Sequence, residues 1–136
     1  MKIKFLVAEE IRPEVGGKLT ILGLMPDDTL LMTSSRPADA PPEVPNGLER
    51  LAFLLSVSDL PEGEHKFKGQ IFNPSGEPYN PETSFGEGTV EKGTSRSIII
   101  DIKPFIVKNF GSYRLDFYVD GSVSSFPFEI REQLKS

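Results

Sequence analysis

Cysteine is absent from this 136-residue chain, which excludes disulfides, thiolate metal sites and a cysteine nucleophile, and fits a reducing compartment. Tryptophan is absent too, and histidine occurs once, at His65. A lone imidazole forms no paired-histidine metal site, and acid/base chemistry there needs a nucleophile or second titrating group set against it. No basic run interrupts a chain whose formal charge is -5, so no positive field draws phosphate backbones or anionic bilayers. Neither nucleic acid nor a membrane is expected as a partner. Long hydrophobic runs are also missing. The apolar stretch Phe5 to Ala8, ahead of Glu9 and Glu10, is too short for a signal-peptide core or a bilayer span, which predicts a cytoplasmic protein.

The glycine-rich and nucleophile motifs of common enzymes are missing as well. There is no Gly-x-Gly-x-x-Gly after a strand, no phosphate-loop Lys-Ser/Thr and no Gly-x-Ser-x-Gly elbow; Gly86-Glu87-Gly88 is only a fragment of a glycine loop. The reading is therefore of a non-enzyme with no cofactor, no catalytic residue and no dedicated metal site.

What is present is the grammar of short strands. The length suits one domain, residues 1–136, and 12 Gly with 12 Pro suit many turns. Ile3, Phe5 and Val7 alternate with Lys2, Lys4 and Leu6, and Lys18 to Leu24 reads as a second strand hairpinned to the first. Thr29 to Thr33 follows as a third. Leu51, Phe53, Leu55 and Val57 alternate strictly, which favours a strand over the short helix suggested by Asn46, Glu49 and the leucine spacing. His65 to Ile71 and Ile98 to Ile102 add two more strands. Tyr113 to Val119 and Ser122 to Ile130, joined at Asp120-Gly121, form the strongest hairpin signal. Gly63-Glu-His65-Lys-Phe67 and Gly111-Ser-Tyr113-Arg-Leu115 echo one another, as equivalent strands would. Pro127 marks the last strand as an edge. Seven or eight such strands predict an all-β fold, an antiparallel sandwich.

Three stretches carry a resemblance. Gly16 to Leu24 after an N-terminal strand, Leu60 to Phe67 leading to Phe72-Asn-Pro-Ser-Gly76, and Gly111 to Leu115 with Val119-Asp-Gly121 resemble a group of small uncharacterised bacterial proteins with an immunoglobulin-like sandwich. The resemblance covers most of the chain outside two long loops. It implies the fold and transfers no functional residue. An antibody-type Cys…Trp…Cys core is excluded by composition.

The two long loops attract the functional expectation. Residues 34–47 hold four prolines and no apolar periodicity, and residues 74–92 carry Pro78, Tyr79 and Phe85. With the loops side by side at one end, Pro78, Tyr79 and Phe85 are expected to contact an unidentified protein partner or a second copy of the chain. An alternative is calcium or small-ligand binding by acidic loops. One strand crossing per connection puts Glu9, Glu10, Asp39, Glu43, Glu77, Glu82, Glu87 and Asp120 at the same end, with Asp27, Asp28 and Asp59 at the other. Solvated acidic loops account for the same residues, since no EF-hand spacing occurs. His65 is expected to be a ring closing the core, and Tyr113 to bond backbone in the preceding connection as a tyrosine corner.

Overall fold

A computed structural model describes residues 1–34, 38–40, 48–79, 83–90 and 95–134, with the backbone alone for Ser34 and for 83–90. Nine strands appear among them: β1 (Lys2–Pro13), β2 (Leu19–Leu24), β3 (Thr29–Ser34), β4 (Leu51–Ser58), β5 (Gly63–Phe72), β6 (Thr83–Val90), β7 (Arg96–Ile102), β8 (Gly111–Val119) and β9 (Ser122–Leu134). One sheet has the order β2-β1-β4-β7 and the other β3-β9-β8-β5-β6. Every described pairing is antiparallel except β3 with β9. Eight of the strands are those the alternation predicts. The ninth, β6, lies inside the stretch 74–92 expected to be a loop, and its ladder with β5 is irregular between Lys66 and Lys68. Gly86 and Gly88 interrupt any alternation there, so the sequence carries no strand period.

The two sheets share one core because each turns its alternate residues inward. Phe53, Leu55 and Val57 of β4 and Ile98 and Ile100 of β7 meet Phe67 and Ile71 of β5, Leu115 and Phe117 of β8, and Phe128 of β9. Residues 51–55 are buried on both faces, as suits β4 as an interior strand between β1 and β7. Aromatic rings run through this core. Phe5 stacks on Phe126 at 5.0 Å, Phe53 meets Phe128 edge-on at 5.0 Å, and Tyr113 stacks on Phe128 at 5.4 Å. Such geometries add to plain burial through the ring quadrupoles.

A second cluster covers the outer face of the four-stranded sheet. Ala8, Ile11, Ala52 and Leu54 are buried there, flanked by Leu6, Leu19, Ile21 and Ile99. Ala8 and Ile11 lie three residues apart yet share a face, so the period of two breaks at Glu9-Glu10.

Tyr113 forms the expected corner: its phenol donates a 2.7 Å hydrogen bond to the Asn109 carbonyl four residues upstream. Burial pushes the phenol's pKa above its ordinary 10.0. Its contribution to stability is therefore intact below pH 10 and lost as the pH climbs through the raised folded value. Tyr113→Phe is expected to cost about 1–2 kcal/mol, from the lost bond and the orphaned carbonyl. Urea denaturation checks this.

Pro127 needs a correction. β9 lies between β3 and β8 in its sheet, with β8 paired along Ser122–Ile130 and β3 along Glu129–Leu134, so its β3 side is open only before Glu129. Pro127 faces Arg114 of β8 just ahead of the β3 ladder, so its missing N–H breaks no bond to β3.

Candidate functional site

Strand directions bring the connections after β3, β5 and β7 to one end of the fold, and Phe105 ties them together. Leu48, where the chain re-enters after the Pro-rich stretch, exchanges backbone hydrogen bonds with Phe105 at 2.7 and 3.0 Å. Tyr79 stacks flat on the Phe105 ring at 4.6 Å, and its hydroxyl accepts the Ile106 N–H at 2.8 Å. The Tyr79 N–H also donates to the Ile71 carbonyl. Tyr79 is thus committed to the fold through ring, hydroxyl and backbone. Pro78 is exposed beside it, bridged to Phe72. The side chain of Phe85 lies outside the described residues, as do Glu43, Glu82 and the side chain of Glu87.

A cleft of about 570 Å³ opens at this end. Met25, Leu30 and Leu48 give it an apolar floor, and Glu9, Glu10, Glu49, Arg50 and Lys103 its charged walls. Met25 is fixed there by its N–H bond to the Val7 carbonyl at 2.9 Å. Arg50, the residue before β4, bridges the two strands that flank β4: its guanidinium pairs with Glu10 of β1 and, at 3.0 Å, with Asp101 of β7. Arg12 reaches Glu10 at 3.2 Å and Lys103 reaches Asp101 at 3.8 Å. Half-buried, bifurcated arginine pairs of this kind fix geometry. Glu9 and Glu49 are the exposed carboxylates of the rim. The sequence groups Glu9 and Glu10 with the loop end but gives no sign of Arg50, because a cation bridging two strands has no local motif.

Glu9 owes its position to a glycine. Gly23 has φ +65, and a Cβ on it would lie 2.6 Å from the Glu9 side chain. Gly23→Ala is expected to cost about 1–2 kcal/mol, chiefly for an L-residue in the left-handed region. A matching fall in the urea midpoint tests this.

The opposite end holds a different constellation. His65 is buried, with Nδ1 2.6 Å from Asp120 Oδ2 and Nε2 2.6 Å from the Pro61 carbonyl. Both ring nitrogens face acceptors, an arrangement only the imidazolium satisfies by donating twice. The hydrogen bond His65 donates to Asp120 is the main cause raising the His65 pKa, followed by the one it donates to Pro61; the bond from His65, followed by that from the Lys66 N–H, lowers the pKa of Asp120. Lys66 N–H donates to Asp120 Oδ1 at 2.8 Å, and Asp120 N–H to the Lys66 carbonyl at 2.9 Å. His65 therefore ties the β4–β5 turn to the β8–β9 turn. Asp120 is not with Glu9, Glu10 and Glu77: β8 runs antiparallel to β5 and delivers it beside Lys66, at the Asp59 end. Among the described residues, no three Asp, Glu or His side chains are grouped to hold a metal ion, and no helix is long and apolar enough to cross a membrane.

The chain matches the family of unknown function DUF6941 over residues 4–131, and it belongs to that family. No curated protein matches it. Among solved structures it is similar to the Pseudomonas fluorescens alkylpurine DNA glycosylase AlkC bound to DNA containing an abasic site analog, with a TM-score of 0.48 and 14% identity. That likeness covers 95% of this chain and 30% of the glycosylase, so the chain spans under a third of that protein's length.

Proposed function

We propose that this member of a family of unknown function is a non-catalytic interaction module, which binds a protein partner at the loop end of an immunoglobulin-like sandwich in the bacterial cytoplasm. The observation carrying the proposal is the convergence of the flanks of both long connections on Phe105, beside a cleft with an apolar floor and charged walls. Such a surface offers a desolvated centre and a polar rim, the division of labour of protein interfaces. The arginine pairs hold its walls rigid, so a partner loses little affinity to ordering them. His65 stands at the far end of β5 from this cleft, held by Asp120 and Pro61, which disfavours proton transfer as its task. The tyrosine corner on β8 and an N-terminal segment, β3, running parallel to the last strand support the immunoglobulin-like reading. The absence of cysteine suits a reducing cytoplasm.

The test is affinity capture from lysate of the source cell, comparing the native chain with Glu9→Lys/Glu49→Lys. These exposed substitutions reverse the rim charge and leave the core alone. Replacing residues 76–90 by a linker would be a poor bait, because it deletes β6. A partner held by the native chain and lost with the equally stable rim variant supports the proposal. A partner kept by both, or no partner for either, overturns it.

A further inference from the structure

We propose that two copies of this chain pair antiparallel along β7, joining their four-stranded sheets into one of eight strands. β7 is an edge: its ladder partner is β4, and among the described strands none lies on its other side. Alternate residues of such a strand turn N–H and C=O outward, and these groups are a template for another strand.

The other three edges are guarded. β2 contains Gly23 in a left-handed conformation. β6 pairs irregularly with β5. The outward Leu31 of β3 sits beside Arg131 of β9 and is flanked in register by Glu129 and Gln133. β7 has neither a left-handed glycine nor an irregular ladder, and its two charges, Arg96 and Asp101, stand towards its ends. It runs Arg-Ser-Ile-Ile-Ile-Asp-Ile in unbroken register with Leu51–Val57, with no proline, glycine or lysine.

A second copy is the occupant because the strand is complementary to itself. Antiparallel pairs share a face, so a two-fold axis normal to the sheet must pass through a residue position of β7. Placed at Ile99, it alone pairs the strand over its full length. Ile98 then faces Ile100 of the second copy, Ser97 faces its Asp101, and Arg96 its Ile102. No like charges meet. The rows behind these residues agree with that register. On the outer face Leu6, Leu54 and Ile99 lie side by side across three strands and lead to the edge. On the inner face Phe5, Leu55 and Ile98, and next to them Val7, Phe53 and Ile100, do the same. Pairing at Ile99 continues each of these three rows into an apolar row of the second copy, and the outer cluster around Ala52 and Leu54 becomes one patch across the joint. Cross-strand aliphatic pairs of this kind stabilise a sheet, and an isologous contact closes on itself as a dimer.

The absence of cysteine makes trapping clean. Paired antiparallel residues have Cα atoms about 4.5–5.5 Å apart, within the range a disulfide spans. The experiment is sedimentation of the native chain over a concentration series, with oxidative trapping of Ile99→Cys and, as control, Val123→Cys, an exposed position on the other sheet. The expected result is a native dimer, rapid disulfide dimerisation at position 99 and little at position 123. Ile99→Lys, checked for an unchanged circular dichroism spectrum, is expected to weaken association by about tenfold or more, as a charge replaces an aliphatic contact. A monomeric native chain at every concentration overturns the proposal. So does a dimer that resists trapping at 99 or is trapped equally well at 123, which would place the contact elsewhere.

Discussion

Phe105→Ala is expected to remove about 3–5 kcal/mol of stability, the range for deleting a fully buried aromatic ring. Phe105 is 0% exposed although it lies outside every strand. Its ring stacks on Tyr79, meets Tyr113 edge-on at 5.8 Å and Phe128 edge-on at 6.3 Å. Its backbone holds Leu48, so losing the ring also loosens the anchor of two connections. A domain of this size has about 5–15 kcal/mol in all, so the variant should sit near the edge of folding. Urea denaturation with a fitted slope measures it. Phe105→Leu keeps part of the volume and should recover a large share of the loss. Tyr79→Phe, which costs only the bond to Ile106 N–H, should lose about 1 kcal/mol. A Phe105→Ala loss no larger than that of Tyr79→Phe would show that the ring is not what holds this end together.

Phe105 also shows where sequence reading stops. Strands were legible wherever a face is buried, because burial imposes the period of two: β4, β5 and the β8–β9 hairpin followed from Leu51 to Val57, His65 to Ile71 and Asp120-Gly121. The turn at Asp120 and Gly121, with φ of 51° and 88°, is the left-handed pair that Asp-Gly announces. β6 was illegible because its glycines supply no packing pattern. Phe105, after Pro104 and outside any periodic stretch, gave no sign that it would be among the most buried rings.

The loop end was partly legible. The flanks of the two long connections do lie together, and Glu9 and Glu10 are there with them. Tyr79, expected as an anchor for a partner, is half-buried and stacks on Phe105, a packing role its sequence did not announce, because an aromatic in a loop can serve the core as readily as a surface. Counting one crossing per connection puts Asp120 at the wrong end, because β6 within 74–92 adds a strand and reverses the parity. The Arg50 bridge to Glu10 and Asp101 joins residues distant in sequence, and only the register of β1, β4 and β7 brings them together.

Between pH 5 and 8, the stability of the native chain is expected to fall as pH rises, and Asp120→Asn to flatten that slope. The His65 pKa is raised above its ordinary 6.5, so its contribution is full below 6.5 and is lost as pH climbs through the higher folded value. The Asp120 pKa is lowered below 3.8, so its contribution is present above 3.8 and is lost as pH falls through the lower folded value. The clamp therefore contributes most between 3.8 and 6.5, where Asp120 is ionised and His65 carries the proton. Asparagine keeps an acceptor and tolerates the left-handed backbone, so it removes the charge and little else. Asp120→Ala loses the acceptor as well and adds about 1–2 kcal/mol for alanine at φ 51°. Melting temperatures across about pH 5 to 8, the range in which histidine ordinarily titrates, should give three curves. The native one descends, the asparagine one is flatter, and the alanine one lies below it with a similar slope. Equal slopes for the native and asparagine proteins would mean that His65 is neutral in the folded state, so that one of its two acceptors goes without a proton.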